Sequence, residues 1–345
     1  MPPLRAVRHH LRLSLYALYA LVALAAVVPA RAVSAHGDNS SFLWVQFDPG
    51  IWLAVILAGA AYIYATGVIE QRDPTAVTTR QTWYFLGGLA ILFFALQGPL
   101  DAFSDDAFWV HMIQHIVIVS IVPPLLLIGT PTALVEPLLR LPGVLPVMRL
   151  LTNAGVAWLL STAVFFGWHI PALYNAAVLN DGLHSLEHVG FLFTAILFWW
   201  PVFGPAPDDL PRLTRANQVL YLAVSCQPNV VLGAVLVFGP QAYYAVYGGA
   251  NRLMPNLSPL VDQQIGGSIM WVPGNLLYLG IISKLFFDWF TERDRADKIE
   301  SADSWREVQE AQTRRDATTT ASRNAETDAD AEVAAPAIAP TRAMR

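Results

Sequence analysis

The sequence predicts an all-α, polytopic membrane helix bundle: seven spans that follow an N-terminal signal peptide. Three observations carry this. The 345 residues are 55% hydrophobic and only 14% charged, whereas soluble domains carry about 25% charged residues. The mean hydropathy is +0.44. The apolar residues gather into runs that approach the ~20 residues needed to cross a bilayer. Backbone in lipid must satisfy its own hydrogen bonds, which a helix does within one segment. The net charge of −5 reflects acidic loops and an acidic tail, so no nucleic-acid partner is expected. The single cysteine, Cys226, leaves no intramolecular disulfide and no multi-thiolate metal site within one chain.

At the N-terminus, Arg5, Arg8 and Arg12 precede an apolar core from Leu13 to Val28, then Pro29 and Val33-Ser34-Ala35. This is the order of a secretory signal, with cleavage expected after Ala35. The domains are then residues 1–35 as signal, 36–295 as the membrane region and 296–345 as a charged tail. Seven runs follow: Ile51–Ile69, Trp83–Gly98, Trp109–Gly129, Leu150–Trp168, Leu183–Phe203, Gln218–Phe238 and Ile265–Phe287. Pro123-Pro124, Pro228 and Pro273 are expected to kink their helices. Gly87-Gly88 and Gly266-Gly267 are expected to permit close helix packing. Trp199-Trp200-Pro201 reads as part of an aromatic belt. From about Asp297 the composition turns to Ala, Thr, Asp, Glu and Arg, which predicts a short charged helix fading into a largely disordered cytoplasmic tail.

Basic residues in the short loops set the orientation. Arg72 and Arg80, Arg140 and Arg149, Arg212 and Arg215, and Arg293, Arg295 and Lys298 follow alternate spans. The opposite loops carry Asp101, Asp105, Asp106 and Asp181, with Arg252 the exception. The chain is expected to be multi-pass in a bacterial plasma membrane, N-terminus outside and C-terminus cytoplasmic.

With that topology, His111 and His115 open the third span, His169 closes the fourth, and His184 and His188 open the fifth, all at the outer end. Each pair is four residues apart and shares one helix face. A lone histidine at a helix end is ordinarily an interfacial side chain. Five at one level point to a metal or haem site, because ionisable groups in a membrane are costly and imidazole suits copper, zinc and iron. Gln114, Glu187 and Asp101 are candidates to orient an imidazole through its second nitrogen. Met112, Met270 and Asp262 are possible accessory groups at the same depth. Cleavage after Ala35 would leave His36 with a free amine and an imidazole, a two-nitrogen chelate suited to Cu(II).

Two other chemistries fit the pattern. His184-Ser185-Leu186-Glu187-His188 has the His-x-x-Glu-His form of one metalloprotease class, which allows a zinc-dependent membrane hydrolase. Two histidines at matched depth, such as His115 and His188, allow a haem-binding electron carrier.

His111-Met-x-Gln-His115 followed by Pro-Pro-Leu-Leu-Leu-x-Gly-x-Pro131 resembles the CtaG-type (caa-type oxidase) cytochrome c oxidase assembly factors. Trp168-His169-Ile170-Pro171-Ala172-Leu173-Tyr174 is similar to a second motif of that family. His184-x-x-Glu187-His188 with Trp199-Trp200-Pro201 is similar to a third, and Asp262-Gln263-Gln264-x-Gly266-Gly267 with Met270-Trp271 to a fourth. The resemblance covers roughly residues 45–290. It implies a membrane assembly factor, without turnover chemistry, whose partners are haem-copper cytochrome c oxidase subunits and the lipid bilayer. Copper delivery is the role usually proposed for that family. The expected ligands are His111, His115, His169, His184 and His188.

Overall fold

In the computed structural model, residues 48–210, 212–249 and 254–333 are described; the signal segment and His36 lie outside them. Among the described residues the regular structure is helical, without strands. The first two helices are the expected spans. Helix α1 (Pro49–Glu70) begins at an N-cap, Asp48, whose carboxylate accepts from the Gly50 and Ile51 amides, with Pro49 in the first turn. That pairing suits a helix start, since the cap uses orphan N–H groups and Pro lacks one. Helix α2 (Thr79–Gln97) opens on a capping box between Thr78 and Gln81. A short helix, α3 (Pro99–Ser104), leads to the third span.

That third span is not one regular helix. It runs as α4 (Phe108–Ile116), a π-helical segment (Val117–Ile121) and α5 (Val122–Ile128). The cause is Pro123-Pro124, which cannot donate to the carbonyls four residues earlier. The carbonyl that Pro123 leaves free, on Val119, accepts the Trp199 indole N–H at 2.8 Å. Trp199 is fully buried rather than part of a belt, because this bond and the packing of Phe198, Phe203 and Tyr278 around it hold it inside.

Two short helices, α6 (Thr132–Leu139) and α7 (Val144–Leu151), precede α8 (Ala154–Trp168). Among the described residues six helices are long and apolar enough to cross a membrane; a seventh span exists if α7 and α8, bent by 70° to each other, count as one. Helix α8 alone has 15 residues, about 22 Å at 1.5 Å per residue, short of the ~30 Å hydrocarbon core. Asn153 produces the bend by capping α8 through the amides of Gly155 and Val156.

The remaining elements are α9 (Pro171–Val178), α10 (Asp181–Phe203), α11 (Arg215–Ser225), α12 (Gln227–Phe238), a 3-10 turn (Ala245–Gly248) and α13 (Pro259–Val333). Pro228 explains why the sixth span breaks at Cys226 into α11 and α12. The glycine expectation holds at Gly88, Gly266 and Gly267, where an added Cβ would meet Leu126, Phe108 and Leu236. It does not hold at Gly87, beside which an added Cβ would find open space.

The chain divides into a membrane unit ending at Phe286 and a second unit from Phe287. The second unit stays helical to Val333, beyond the short charged helix expected there. Its Ala, Glu, Arg and Gln residues favour a helix, and same-face ion pairs such as Lys298–Asp294 (2.7 Å) and Arg314–Glu310 (3.9 Å) support it.

Candidate metal centre

Three elements deliver the histidines to one end of the membrane unit. Helix α4 carries His111 and His115. The C-cap of α8 is His169. Helix α10 carries His184 and His188, with Glu187 on the same face. Asn180 caps α10 by accepting from the Leu183 amide at 3.0 Å, which places His184 in the first turn.

The start of α4 is held by a different span. Asp262, on α13, accepts from the Phe108 amide at 2.9 Å and the Trp109 amide at 3.0 Å. It satisfies two of the orphan donors of the histidine-bearing helix. Its neighbours bind the opposite kind of helix end: Gln263 donates to the Leu236 and Gln241 carbonyls and Gln264 to the Val237 carbonyl. The Asp-Gln-Gln run is therefore a clamp for two helix ends. Gly266 and Gly267 just behind it let α13 lie against Phe108 and Leu236.

Four imidazoles come together. The ring centres of His111 and His115 are 4.2 Å apart, His184 and His188 4.4 Å, His111 and His184 5.2 Å, His115 and His188 5.6 Å, and His111 and His188 6.4 Å. His111, His184 and His188 offer ligand atoms that lie within 4.8 Å of one another, and so do His111, His115 and Glu187. His111, His115 and Glu187 are buried, while His184 and His188 are partly exposed. Glu187 is fully buried, with one oxygen 3.8 Å from His115 Nε2.

The other predicted residues fall into two groups. His169 is buried at the edge, its Nδ1 2.7 Å from the Phe165 carbonyl oxygen, and belongs to neither ligand group. Gln114 and Asp101 bind each other rather than an imidazole: Gln114 donates to Asp101 and to the Ala95 carbonyl, both at 2.9 Å. Met112 and Met270 pack in an apolar cluster with Phe108, Tyr174, Leu236 and Tyr247.

Sequence reasoning missed the tyrosines. Tyr247 donates to the Ser104 carbonyl at 3.0 Å, so its oxygen is left to accept from His111 Nδ1 at 3.3 Å and from the Tyr174 hydroxyl at 3.0 Å. Tyr244 donates to the His169 carbonyl at 3.1 Å. Burial raises the pKa of all three hydroxyls above the ordinary value, which keeps them protonated donors. With Nδ1 of His111 occupied, its Nε2 lone pair faces the cluster. The signal for this network was Tyr174 in its histidine-containing motif; Tyr244 and Tyr247 lie in an irregular stretch with no period to read.

The chemistry of the donor set fits a metal. Nε2 of His111, His115, His169, His184 and His188 and both Glu187 oxygens are buried with no hydrogen-bond partner. An unpaired buried polar atom costs about 1–3 kcal/mol, and imidazole nitrogens with a carboxylate are ligands for copper and zinc. A haem fits less well. Four rings at these separations fill the space a flat macrocycle would need between two axial imidazoles.

Fold and site together define a polytopic membrane protein with a buried polyhistidine centre at one end of its bundle. The chain belongs to the cytochrome c oxidase caa3 assembly factor family (Caa3_CtaG), whose pattern matches residues 60–292. It is 25% identical over 268 residues to an uncharacterized protein of Mycobacterium leprae (strain TN), covering 72% of this chain and 40% of that protein. An uncharacterized protein of Mycobacterium bovis is 25% identical over 262 residues, covering 71% of this chain and 39% of its own length. The chain thus spans about two fifths of the length of these relatives. No solved structure matches it.

Proposed function

We propose that this chain holds a copper ion among His111, His115, His184 and His188, with His169 beside them, at the outer face of a bacterial plasma membrane. It passes that ion to a haem-copper cytochrome c oxidase during assembly and carries out no turnover chemistry of its own. The observation that supports this reading most directly is the set of buried, unpartnered imidazole nitrogens contributed by three separate elements. Membership of an oxidase assembly family supplies the destination. The arginine pattern of the loops supplies the side, since the loops opposite the histidines hold most of the positive charge. Copper as cargo suits a site where two of the side chains, His184 and His188, are partly exposed, because a donor must also release. The test is metal analysis of the purified full-length protein with an absorption spectrum. Copper near one equivalent with no Soret band is expected. Protein that neither retains nor takes up copper would overturn the reading.

One observation favours a zinc-dependent hydrolase as the second reading. His184 and His188 with His111 form a three-imidazole set, and Glu187 lies beside it as a base would. Against it, Glu187 has no exposed surface, so a substrate and its water have no open approach to the carboxylate. Bound zinc together with hydrolysis of an ester or lipid, abolished in Glu187→Gln, would favour that reading over copper delivery.

A further inference from the structure

We infer that the centre is one metal site with two positions, which share His111 as a pivot. This rests on the metal-holding reading above and describes how the ion moves within it. His111 belongs to both ligand groups: one with His184 and His188, the other with His115 and Glu187. Two ions could share an imidazole only by using both its nitrogens. Here Nδ1 is tied to the Tyr247 hydroxyl and Nε2 alone is unpartnered. One lone pair serves one metal, so the two groups compete for it and the centre holds one ion.

The two positions differ in access and in chemistry. His184 and His188 are partly exposed, whereas His115 and Glu187 are buried. The Nε2 atoms of His184 and His188 are buried too, but their side chains reach the surface, so the first position is the nearer one to incoming metal and the partner, and the second retains the ion. Three neutral imidazoles suit Cu(I), while two imidazoles and a hard carboxylate favour a divalent ion. Transfer is a ligand exchange with no change of electrons: the bonds to His184 and His188 break, those to His115 and Glu187 form, and His111 stays bound. Tyr247, Tyr174 and the Ser104 carbonyl keep the His111 ring in the tautomer that permits this.

The experiment titrates purified full-length protein with Cu(II) and reads stoichiometry, electron paramagnetic resonance and release to a chelator. Wild type should saturate at one equivalent, with the spectrum of two nitrogens and oxygen. His184→Ala should still saturate at one equivalent but take copper up more slowly, and uptake at the parental rate would overturn the first position. Glu187→Gln should still bind one equivalent, shift to a three-nitrogen spectrum and release copper about tenfold faster or more, the size of effect seen when a group supporting a metal ligand is lost. A second tightly bound equivalent in wild type overturns the shared pivot, and this measurement needs no variant to fold. A wild-type spectrum that Glu187→Gln leaves unchanged overturns the second position while leaving copper binding intact. Failure of wild type to bind copper at all defeats the metal-holding reading itself and the pivot with it.

Discussion

Trp199 closes a gap in the histidine-bearing span by donating its indole N–H to the Val119 carbonyl at 2.8 Å. Pro123 leaves that carbonyl without its helical donor, and no water in the bilayer core can replace it. One bond thus ties the π-helical segment below His115 to α10, the helix that carries His184, Glu187 and His188. Trp199→Phe keeps the ring and removes the donor. It is expected to cost about 1–3 kcal/mol, read as a lower unfolding temperature in detergent. An unchanged midpoint would show that another group satisfies Val119.

The metal-holding reading makes His115 and His188 the replacements with the largest effect. Each lies one turn, roughly 6 Å, further into its helix than its mate. His115→Ala is expected to lower copper retention and His188→Ala to slow copper uptake, and both to lower oxidase activity while the protein stays in the membrane. His169→Ala should do less, because His169 is in neither ligand group. Retention by His115→Ala and uptake by His188→Ala at the parental level would place the site elsewhere.

The spans and the shared level of the five histidines were legible in the sequence because both follow from local signals: apolar run length and i, i+4 spacing. What was not legible depended on partners far along the chain. Nothing near Trp199 says that Pro123 frees an acceptor for it, so it read as a belt residue. Gln114 and Asp101 sit at the right depth to orient an imidazole, yet they face each other. Asp262 looked like an accessory ligand; its two bonds are to amides about 150 residues away in the chain. Tyr247 reaches His111 from an irregular loop, where no periodicity assigns a face. The break at Asn153 was hidden because the apolar run there begins at Leu150 and continues through the cap.

Two glycines that look alike in the sequence should behave oppositely. At Gly266 an added Cβ would fall on the Phe108 ring and lie 3.2 Å from Met112 Cγ. Phe108 cannot yield easily, since Tyr244 stacks on it with centroids 4.9 Å apart. Gly266→Ala is expected to cost about 1–3 kcal/mol as an overpacked core. At Gly87 nothing lies within 4 Å, and Gly87→Ala should stabilise its helix by about 0.5–1 kcal/mol. Thermal unfolding of the two variants side by side checks both signs.

The orientation has its own test. Arg72, Arg80, Arg140, Arg149, Arg212 and Arg215 lie in or beside the connections that join the span ends opposite those bearing the histidines. By the bias of such residues toward the cytoplasm, the helix that follows Phe287 should also be cytoplasmic. A reporter that works only in the cytoplasm, fused after Ser301, should be active. Activity of a periplasm-specific reporter at the same position would move every histidine to the inner face.

Asp262 separates a ligand role from a supporting one. Its carboxylate oxygens are both used, one on the Phe108 amide and one on the Trp109 amide. An aspartate at a helix N-terminus also meets the positive end of the helix dipole. Asp262→Asn retains one acceptor but turns an amide N–H2 toward a backbone N–H, and it removes the charge. Asp262→Ala removes both acceptors and should cost about 1–2 kcal/mol, the usual loss for a cap. Because α4 carries His111 and His115 less than two turns further on, a frayed start should loosen the centre without deleting a ligand. Both variants should therefore still bind one copper with the parental number of nitrogens, but more weakly, and Ala should be at least as impaired as Asn. If Asp262→Asn instead changes the ligand set seen by paramagnetic resonance, Asp262 is a ligand, and the capping account of this end of the bundle fails.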